Sequence, residues 1–273
     1  MPTVSIIMPT YNGAAHIRPA IDSVLSQDFG DLELIVVDDN SRDDTVAIAA
    51  SYADPRIRIE RNPTNLGPEG NWNRALSLAQ GTYVKLLPQD DVLMPGSLGR
   101  QIQALEADGA GTIALVFGAR EVIDGEGRVL MKRGLPNARM GRIASADLAR
   151  RCVRKGTNMI GEPGAVLFRR SLAERIGPFD AAQPYVIDLD YWLRLLAHGD
   201  AWYMDEVVSA FRVSRGSWSV AIGNNQSRQY SDFLDRMQAA GLVHASTLEM
   251  LIGKINARLS NVLRLVFYKV ILR

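Results

Sequence analysis

The chain has 273 residues, 47% of them hydrophobic and 22% charged, with 31 basic against 30 acidic side chains. That supplies a large core, leaves room for one or two domains, and at a net charge of +1 gives no reason to expect a nucleic-acid partner. The lone Cys152 excludes an internal disulfide, Met1 to Met8 lacks the basic start of a secretory signal, and no apolar stretch approaches the ~18 to 20 residues of a membrane span, so a cytoplasmic setting is expected.

Val4 to Met8 is a short apolar run rich in β-branched residues, which predicts a first strand stopped by the turn chemistry of Pro9-Thr10-Tyr11-Asn12-Gly13. Ile17, Ile21, Val24 and Leu25 then recur at helical spacing, with Pro19 tolerable only in the first turn. Glu33 to Val37 predicts a second strand, ending in the pair Asp38-Asp39. Ser41-Arg42-Asp43-Asp44 has capping-box form with Asp in place of Glu, ahead of a helix opened by Val46, Ile48 and Ala49. Arg56 to Glu60 alternates like a strand with one wet face, as at a sheet margin. A loop from Asn62 to Gly70 leads to a helix from Asn71 to Ala79, ended near Gly81. The strand-like Thr82 to Leu87 follows, with Asp90-Asp91 beyond it. Alternating strands and helices predict a doubly wound, nucleotide-type half over residues 1–100.

The second half, 101–220, is less regular. Val116 to Ile123 and Arg128 to Met131 flank Asp124-Gly125-Glu126-Gly127 as a hairpin. Ala165 to Phe168 is a short strand behind the turn Gly161-Glu162-Pro163-Gly164, which presents Glu162 at its tip. Ile187 to Leu196 predicts a helix with Asp188 and Asp190 in its first turn, where acids suit the helix dipole. No linker separates the halves, so 1–220 is expected to be one domain and 221–273 a helical appendage. In that tail Leu248, Leu251, Ile252, Ile255, Leu259, Val262, Leu263, Val266, Phe267, Val270 and Ile271 recur at helical spacing, accompanied by Lys254, Arg258, Arg264, Lys269 and Arg273. A basic amphipathic helix of this kind lies in an anionic membrane surface, as at the inner face of the cell membrane. The alternative is a helix packed on the catalytic domain or on the second subunit of a homodimer.

Both acidic pairs sit where strands end. In an open parallel α/β sheet that crevice binds ligands, and four carboxylates there repel unless a cation or ligand donors compensate, which points to a nucleotide and a divalent metal. The plainer readings are that Asp38 and Asp39 end a strand or cap a helix, that Asp188 and Asp190 are first-turn acids, and that Glu162 closes a turn. Trp192 and Trp218 would stack on an acceptor sugar or fill core, and His16, His198 and His244 lack metal-ligand spacing. Neither a Gly-x-Gly-x-x-Gly after the first strand nor a Walker motif is present.

In their order along residues 3 to 220, these segments resemble the inverting nucleotide-sugar glycosyltransferases of family 2, with the GT-A fold. The resemblance rests on Ile7-Met8-Pro9-Thr10-Tyr11-Asn12, Val37-Asp38-Asp39-Asn40-Ser41, Asn65-Leu66-Gly67 with Asn73, Gln89-Asp90-Asp91 followed by Pro95-Gly96, Glu162-Pro163-Gly164, Gly177-Pro178-Phe179-Asp180 and Asp188-Leu189-Asp190-Tyr191-Trp192-Leu193-Arg194. It implies a mixed, doubly wound sheet and transfer from a UDP- or dTDP-type sugar to a hydroxyl of a glycan or glycolipid in cell-envelope polysaccharide synthesis. Thr10, Tyr11 and Asp39 would hold the pyrimidine, with Pro9, Asn12 and Asn65 in the same nucleotide-binding set. Asp90 would bind Mn2+ or Mg2+ on the diphosphate with Asp91 beside it, Asp188 would be the catalytic base, and Glu162 and Trp192 would meet the acceptor.

Three positions depart from the family pattern: Pro88 replaces the first acid of the metal motif, Ile187 replaces a Glu before the base, and Ser214 stands where many members carry His. They suggest, as alternatives, a catalytically inactive nucleotide-sugar-binding protein of the same fold, or less readily a nucleotidyltransferase. The chemistry itself asks for a hard cation on the departing diphosphate and a carboxylate to deprotonate the acceptor hydroxyl, for which Asp90 and Asp188 are the candidates. Direct attack inverts the anomeric carbon and needs no enzyme nucleophile.

Overall fold

The computed structural model describes residues 1–214 and 225–271. Trp218, in the first gap, and the tail positions Val270 and Ile271 (side chains) and Arg273 lie outside what is described. One mixed sheet organises the molecule, in the order β3-β2-β1-β4-β9-β6-β10-β5. Its strands are β1 (Val4–Thr10), β2 (Leu32–Asp38), β3 (Ile57–Arg61), β4 (Tyr83–Leu86), β5 (Val92–Leu93), β6 (Ile113–Ile123), β7 (Val129–Arg133), β8 (Gly141–Ile143), β9 (Val166–Arg169) and β10 (Asp200–Arg212). β7 hangs on β6 and β8 on β10. The first four strands of the order are parallel, and β9 then runs antiparallel to both β4 and β6.

Both faces of the sheet are covered. Along β1 the pleat sends Val4, Ile6 and Met8 into one core and Ile7 into the other, and β2 does the same with Leu34 and Val36 against Ile35 and Val37. Under the first face lie α1 (Ile17–Leu25), α2 (Thr45–Ala50) and α4 (Ser97–Glu106). Under the second lie α3 (Gly67–Leu78), α5 (Ser145–Lys155), α6 (Arg170–Ile176), α7 (Ile187–Leu196) and α8 (Gln226–Ala239). Burial on both sides is why β1 reads as a largely apolar run, with the buried Ser5 its one interruption before Met8, rather than an alternation, while β3 at the margin stays half-buried.

Two local expectations change. The predicted capping box does not form between Ser41 and Asp44: Asp43 Oδ1 accepts the Thr45 N–H that opens α2, while Ser41 Oγ accepts the Asn12 N–H and Asp43 Oδ2 the Ala14 N–H, so these side chains also latch the loop after β1 to the loop after β2. The helix expected from Asn71 begins at Gly67 instead. Its missing cap arrives from elsewhere in the chain, because Asp39 accepts from the N–H groups of Leu66 and Gly67, and Gly67 meets the left-handed φ of +74° required there.

The final helix, α9 (Thr247–Ile271), packs against α5 and α8. Its backbone passes so close that a Cβ on Gly156 would lie 2.3 Å from Ala257 N, and one on Gly253 would lie 2.3 Å from Val153 O. Met250, Ala257 and Asn261 are buried there. Its outer face leaves Leu248, Leu251, Ile255, Leu259, Val262, Leu263 and Val266 exposed.

Candidate active site

The sheet order sets β1 between β2 and β4, so the loops after these strands meet at one edge. Gln89 bridges two of them: its Oε1 accepts the Tyr11 N–H at 2.8 Å and its Nε2 donates to Tyr11 O at 3.0 Å. Asn12 and Asn40 take left-handed φ values of 47° and 63°, which Asn tolerates better than most residues. Asn12 Oδ1 accepts the Arg42 N–H. Within the expected nucleotide set, Pro9 and Thr10 are buried in β1, and the half-exposed Tyr11 ring faces outward. Asn65 is exposed and accepts the Gly67 N–H. Asp39 is 2% exposed, and its oxygens are engaged by Asn62 Nδ2, Leu66 N and Gly67 N, at 2.8 to 3.0 Å. Its carboxylate therefore holds the Asn62–Gly67 loop.

Beyond β4 the two aspartates diverge. Asp90 lines a cavity of ≈ 200 Å³ together with Trp72, Glu162, Tyr185 and Asp188. Asp91 does not reach it. It is 1% exposed and accepts the Arg212 N–H at 2.9 Å, so its carboxylate anchors the end of β10. Burial pushes the Asp91 carboxyl well above its ordinary range, with the Asp90 charge adding to it. Burial also raises Asp90, against the pull of Arg212, whose Nε donates to Asp90 O at 2.8 Å. Among the described residues no group of three or more His, Cys, Asp or Glu gathers as a metal cage. One cavity-facing carboxylate fits a divalent ion that takes its other ligands from phosphate oxygens and water.

Asp188 enters the same cavity from the first turn of α7. Its Oδ2 accepts from Asn158 Nδ2 at 2.9 Å and its Oδ1 from the Leu189 N–H at 2.7 Å. Burial, reinforced by the charge of Glu162, lifts its pKa to about 7. Glu162 is pulled the other way. Burial would raise it, but Arg120 at 2.5 Å and Arg133 at 3.6 Å hold it below the usual carboxylate range. The turn carrying Glu162 is tied down from behind by Lys85, which is fully buried and donates to Gly164 O and Val166 O.

Trp192 is fully buried, and its Nε1 donates to Gly161 O at 3.1 Å. The apolar face of α7 points into the core, so the indole lies inside the fold and braces the turn before Glu162. Asp190 is likewise structural, paired with Arg194 at 2.8 Å and Arg236 at 2.7 Å. Asn73 joins two of the motifs: its side chain bonds the Phe179 backbone in both directions, at 2.7 and 3.0 Å.

Sequence reasoning missed Arg120, Asn158 and Arg133. A signal existed for the first, since Arg120 is a cation inside a strand otherwise buried almost throughout. Asn158 had none, being one polar residue in a loop.

The profile of glycosyl transferase family 2 matches residues 5–177, more than half of the chain. A Campylobacter jejuni protein named GalNAc(5)-diNAcBac-PP-undecaprenol beta-1,3-glucosyltransferase is 42% identical over 106 residues, which are 38% of this chain and 34% of that protein. The chain thus spans about a third of that relative. The crystal structure of Staphylococcus aureus TarS 1-349 with UDP-GlcNAc superimposes with a TM-score of 0.65 at 18% identity, covering 95% of this chain and 72% of that one. The mannosyltransferase PcManGT from Pyrobaculum calidifontis, in complex with GDP-Man and Mn2+, gives 0.64 at 20% identity, over 98% and 73%. At these identities the likeness concerns the fold, which is that of GT-A glycosyltransferases.

Proposed function

The chain belongs to glycosyl transferase family 2 and is a glycosyltransferase, and from that premise we propose that it is an inverting enzyme in which Asp188 deprotonates the acceptor hydroxyl. The observation that carries this reading is the pair Asp188 and Asp90 facing one cavity, the first held by Asn158 with a pKa of about 7. A base poised near the working pH accepts a proton most effectively, a contribution of roughly 10²- to 10⁴-fold. The acceptor oxygen forms its bond to the anomeric carbon on the face opposite the diphosphate, and the bond from that carbon to the phosphate oxygen breaks with its electron pair. The proton ends on Asp188. Glu162, kept ionised by Arg120 and Arg133, maintains the raised pKa of Asp188 and offers acceptor hydroxyls a charged partner.

The donor is proposed to be a UDP- or dTDP-sugar, its base lying on Tyr11 over the wall built from Pro9, Thr10, Asn12, Asp39 and Asn65. Asp90 would hold Mn2+ or Mg2+, which supplies charge stabilisation to the departing diphosphate. PcManGT, with its bound Mn2+, supports that reading. The acceptor is proposed to be a glycan or lipid-linked glycan of a cell-envelope pathway, in keeping with the undecaprenol-linked substrate in the name of the Campylobacter relative. Among the described residues no helix is long and apolar enough to cross a membrane. The apolar outer face of α9, with Arg258 and Lys269 along the helix, is proposed to rest on an anionic membrane surface.

A thermal-shift screen of nucleoside diphosphates with and without Mn2+ tests the donor side. UDP and dTDP should raise Tm, and more so with metal. An equal response to ADP, or none to any diphosphate, would contradict the reading.

A further inference from the structure

The segment that follows Asp90 is joined along its length to one strand. β5 runs antiparallel to β10, with Leu93 opposite Ser209 and Val92 opposite Ala210, and the Met94 N–H donates to Val208 O at 3.0 Å. Traced back toward Asp90, this ladder gives way to a single residue, Arg212, at the end of β10. The Arg212 N–H donates to Asp91 Oδ1 at 2.9 Å, and its Nε donates to Asp90 O at 2.8 Å.

The same guanidinium extends to a third segment. Arg212 lies opposite Ile123, the last residue of β6, and its Nη1 donates to Asp124 O at 2.9 Å and to Gly125 O at 3.1 Å, in the turn between β6 and β7. One side chain, 4% exposed with its residue, thus ties the loop after β4 to the β6–β7 turn. Reaching three carbonyls in two loops from one position takes a planar fork of N–H donors, whereas a lysine offers all of its donors from one atom.

A buried cation is a costly way to close a turn, since apolar side chains of similar volume often stabilise a fold as well or better. What the guanidinium adds is a hold on the Asp90 backbone. Asp90 is the aspartate of this loop that lines the cavity shared with Asp188. A divalent ion carried by one protein carboxylate is placed by the residue that bears it, so any drift of the loop carries the ion and the diphosphate away from the base.

We propose that Arg212 is a positioning residue of the transfer reaction: through Asp90 O it fixes the carboxylate that holds the divalent ion on the departing diphosphate, with the β6–β7 turn as its anchorage. It acts through Asp90 and not by contact with the substrates. The inference rests on the metal-assisted reading of the site and adds to it the residue that sets where the ion lies. The β6–β7 hairpin thereby gains a part in donor binding, as the fixed wall from which the metal loop is held.

Calorimetric binding of UDP to the full-length protein, with and without Mn2+, tests this in wild type, Arg212→Met, Arg212→Lys and the control Arg128→Met. Arg128 is an exposed residue of the same hairpin that bonds the Asp124 side chain instead of its carbonyl. The metal-free affinity for UDP should stay within about 2-fold of wild type in all three variants. The gain in affinity that Mn2+ brings should fall about 10-fold in Arg212→Met, fall less in Arg212→Lys, and stay intact in Arg128→Met. A gain that survives in both Arg212 variants overturns the proposal. So does a loss of metal-free affinity as large as the loss of the gain, because Arg212 would then support the fold alone. If Arg212→Met does not fold, Arg212→Lys decides between the same outcomes. Wild-type protein that binds UDP with no gain from Mn2+ overturns the metal reading and this inference together, whereas a wild-type gain untouched in the variants removes this inference alone.

Discussion

Asp188 and Glu162 face the same cavity in opposite electrostatic settings: Glu162 lies 2.5 Å from the Arg120 guanidinium and stays ionised, while among the described residues the hydrogen bonds to Asp188 come from the neutral Asn158 amide and the Leu189 N–H. Burial and the Glu162 charge then hold Asp188 at about 7. Because the base acts when deprotonated, kcat/KM should rise with pH and level off above about 7. Glu162→Gln removes the neighbouring negative charge, so the rising limb should move to lower pH even as the rate falls. A limb that stays in place in Glu162→Gln would detach the two carboxyls.

The same pKa carries a cost in stability. The folded-state value of about 7 lies above the ordinary aspartate value of 3.8, so folding favours the protonated acid. Its contribution is fully present below pH ~4 and is lost as pH rises through 7. Asp188→Asn should therefore raise Tm by roughly a few degrees at pH 8, and the gap should close toward pH 4. Thermal melts at the two pH values check this, and a variant less stable at pH 8 would contradict it.

Asp90 and Asp91, adjacent in sequence, should separate on mutation. Asp90→Asn should abolish the Mn2+-dependent part of UDP stabilisation while leaving the apo Tm near wild type. Asp91→Ala should destabilise the apo protein by about 1–3 kcal/mol, because the Arg212 N–H loses its buried acceptor. Denaturant titration and thermal shift with and without Mn2+ distinguish the two, and equal loss of metal response in both would make Asp91 a ligand as well.

Much of the strand order along the first hundred residues was legible, because β1, β2 and β4 are buried on both faces and are mainly apolar, even with Ser5 and Lys85 buried among them. The start of α3 was not, since its cap is Asp39, supplied across 27 residues of chain to Leu66. The cavity-facing aspartates at 90 and 188 were found from their motifs, yet Asp91 and Trp192 in the same motifs point into the fold. A motif fixes which residue type follows which, and only packing decides which of two neighbours faces the ligand. β10, which closes the far half of the sheet, was missed because its polar residues, Asp200, Asp205 and Glu206, mask its apolar face.

Docking of α9 through Met250, Ala257 and Gly253 makes removal of residues 246 to 273 a poor test of membrane contact, since truncation exposes α5 and α8. Replacing exposed positions avoids that. Leu251→Glu with Leu259→Glu and Val262→Glu should leave Tm and UDP binding close to wild type and abolish sedimentation with vesicles containing anionic lipid at low salt. Wild-type protein that ignores such vesicles would remove the membrane role.

The most direct measurement is turnover of Asp188→Asn, read as release of nucleoside diphosphate in the presence of acceptor, alongside the affinity of the variant for UDP. The amide keeps the Asn158 side of the cavity filled but cannot take a proton. Turnover should fall at least ~10²-fold with UDP affinity unchanged. Near-normal turnover in this variant would show that the base lies elsewhere, with Glu162 the next carboxylate in the cavity to test.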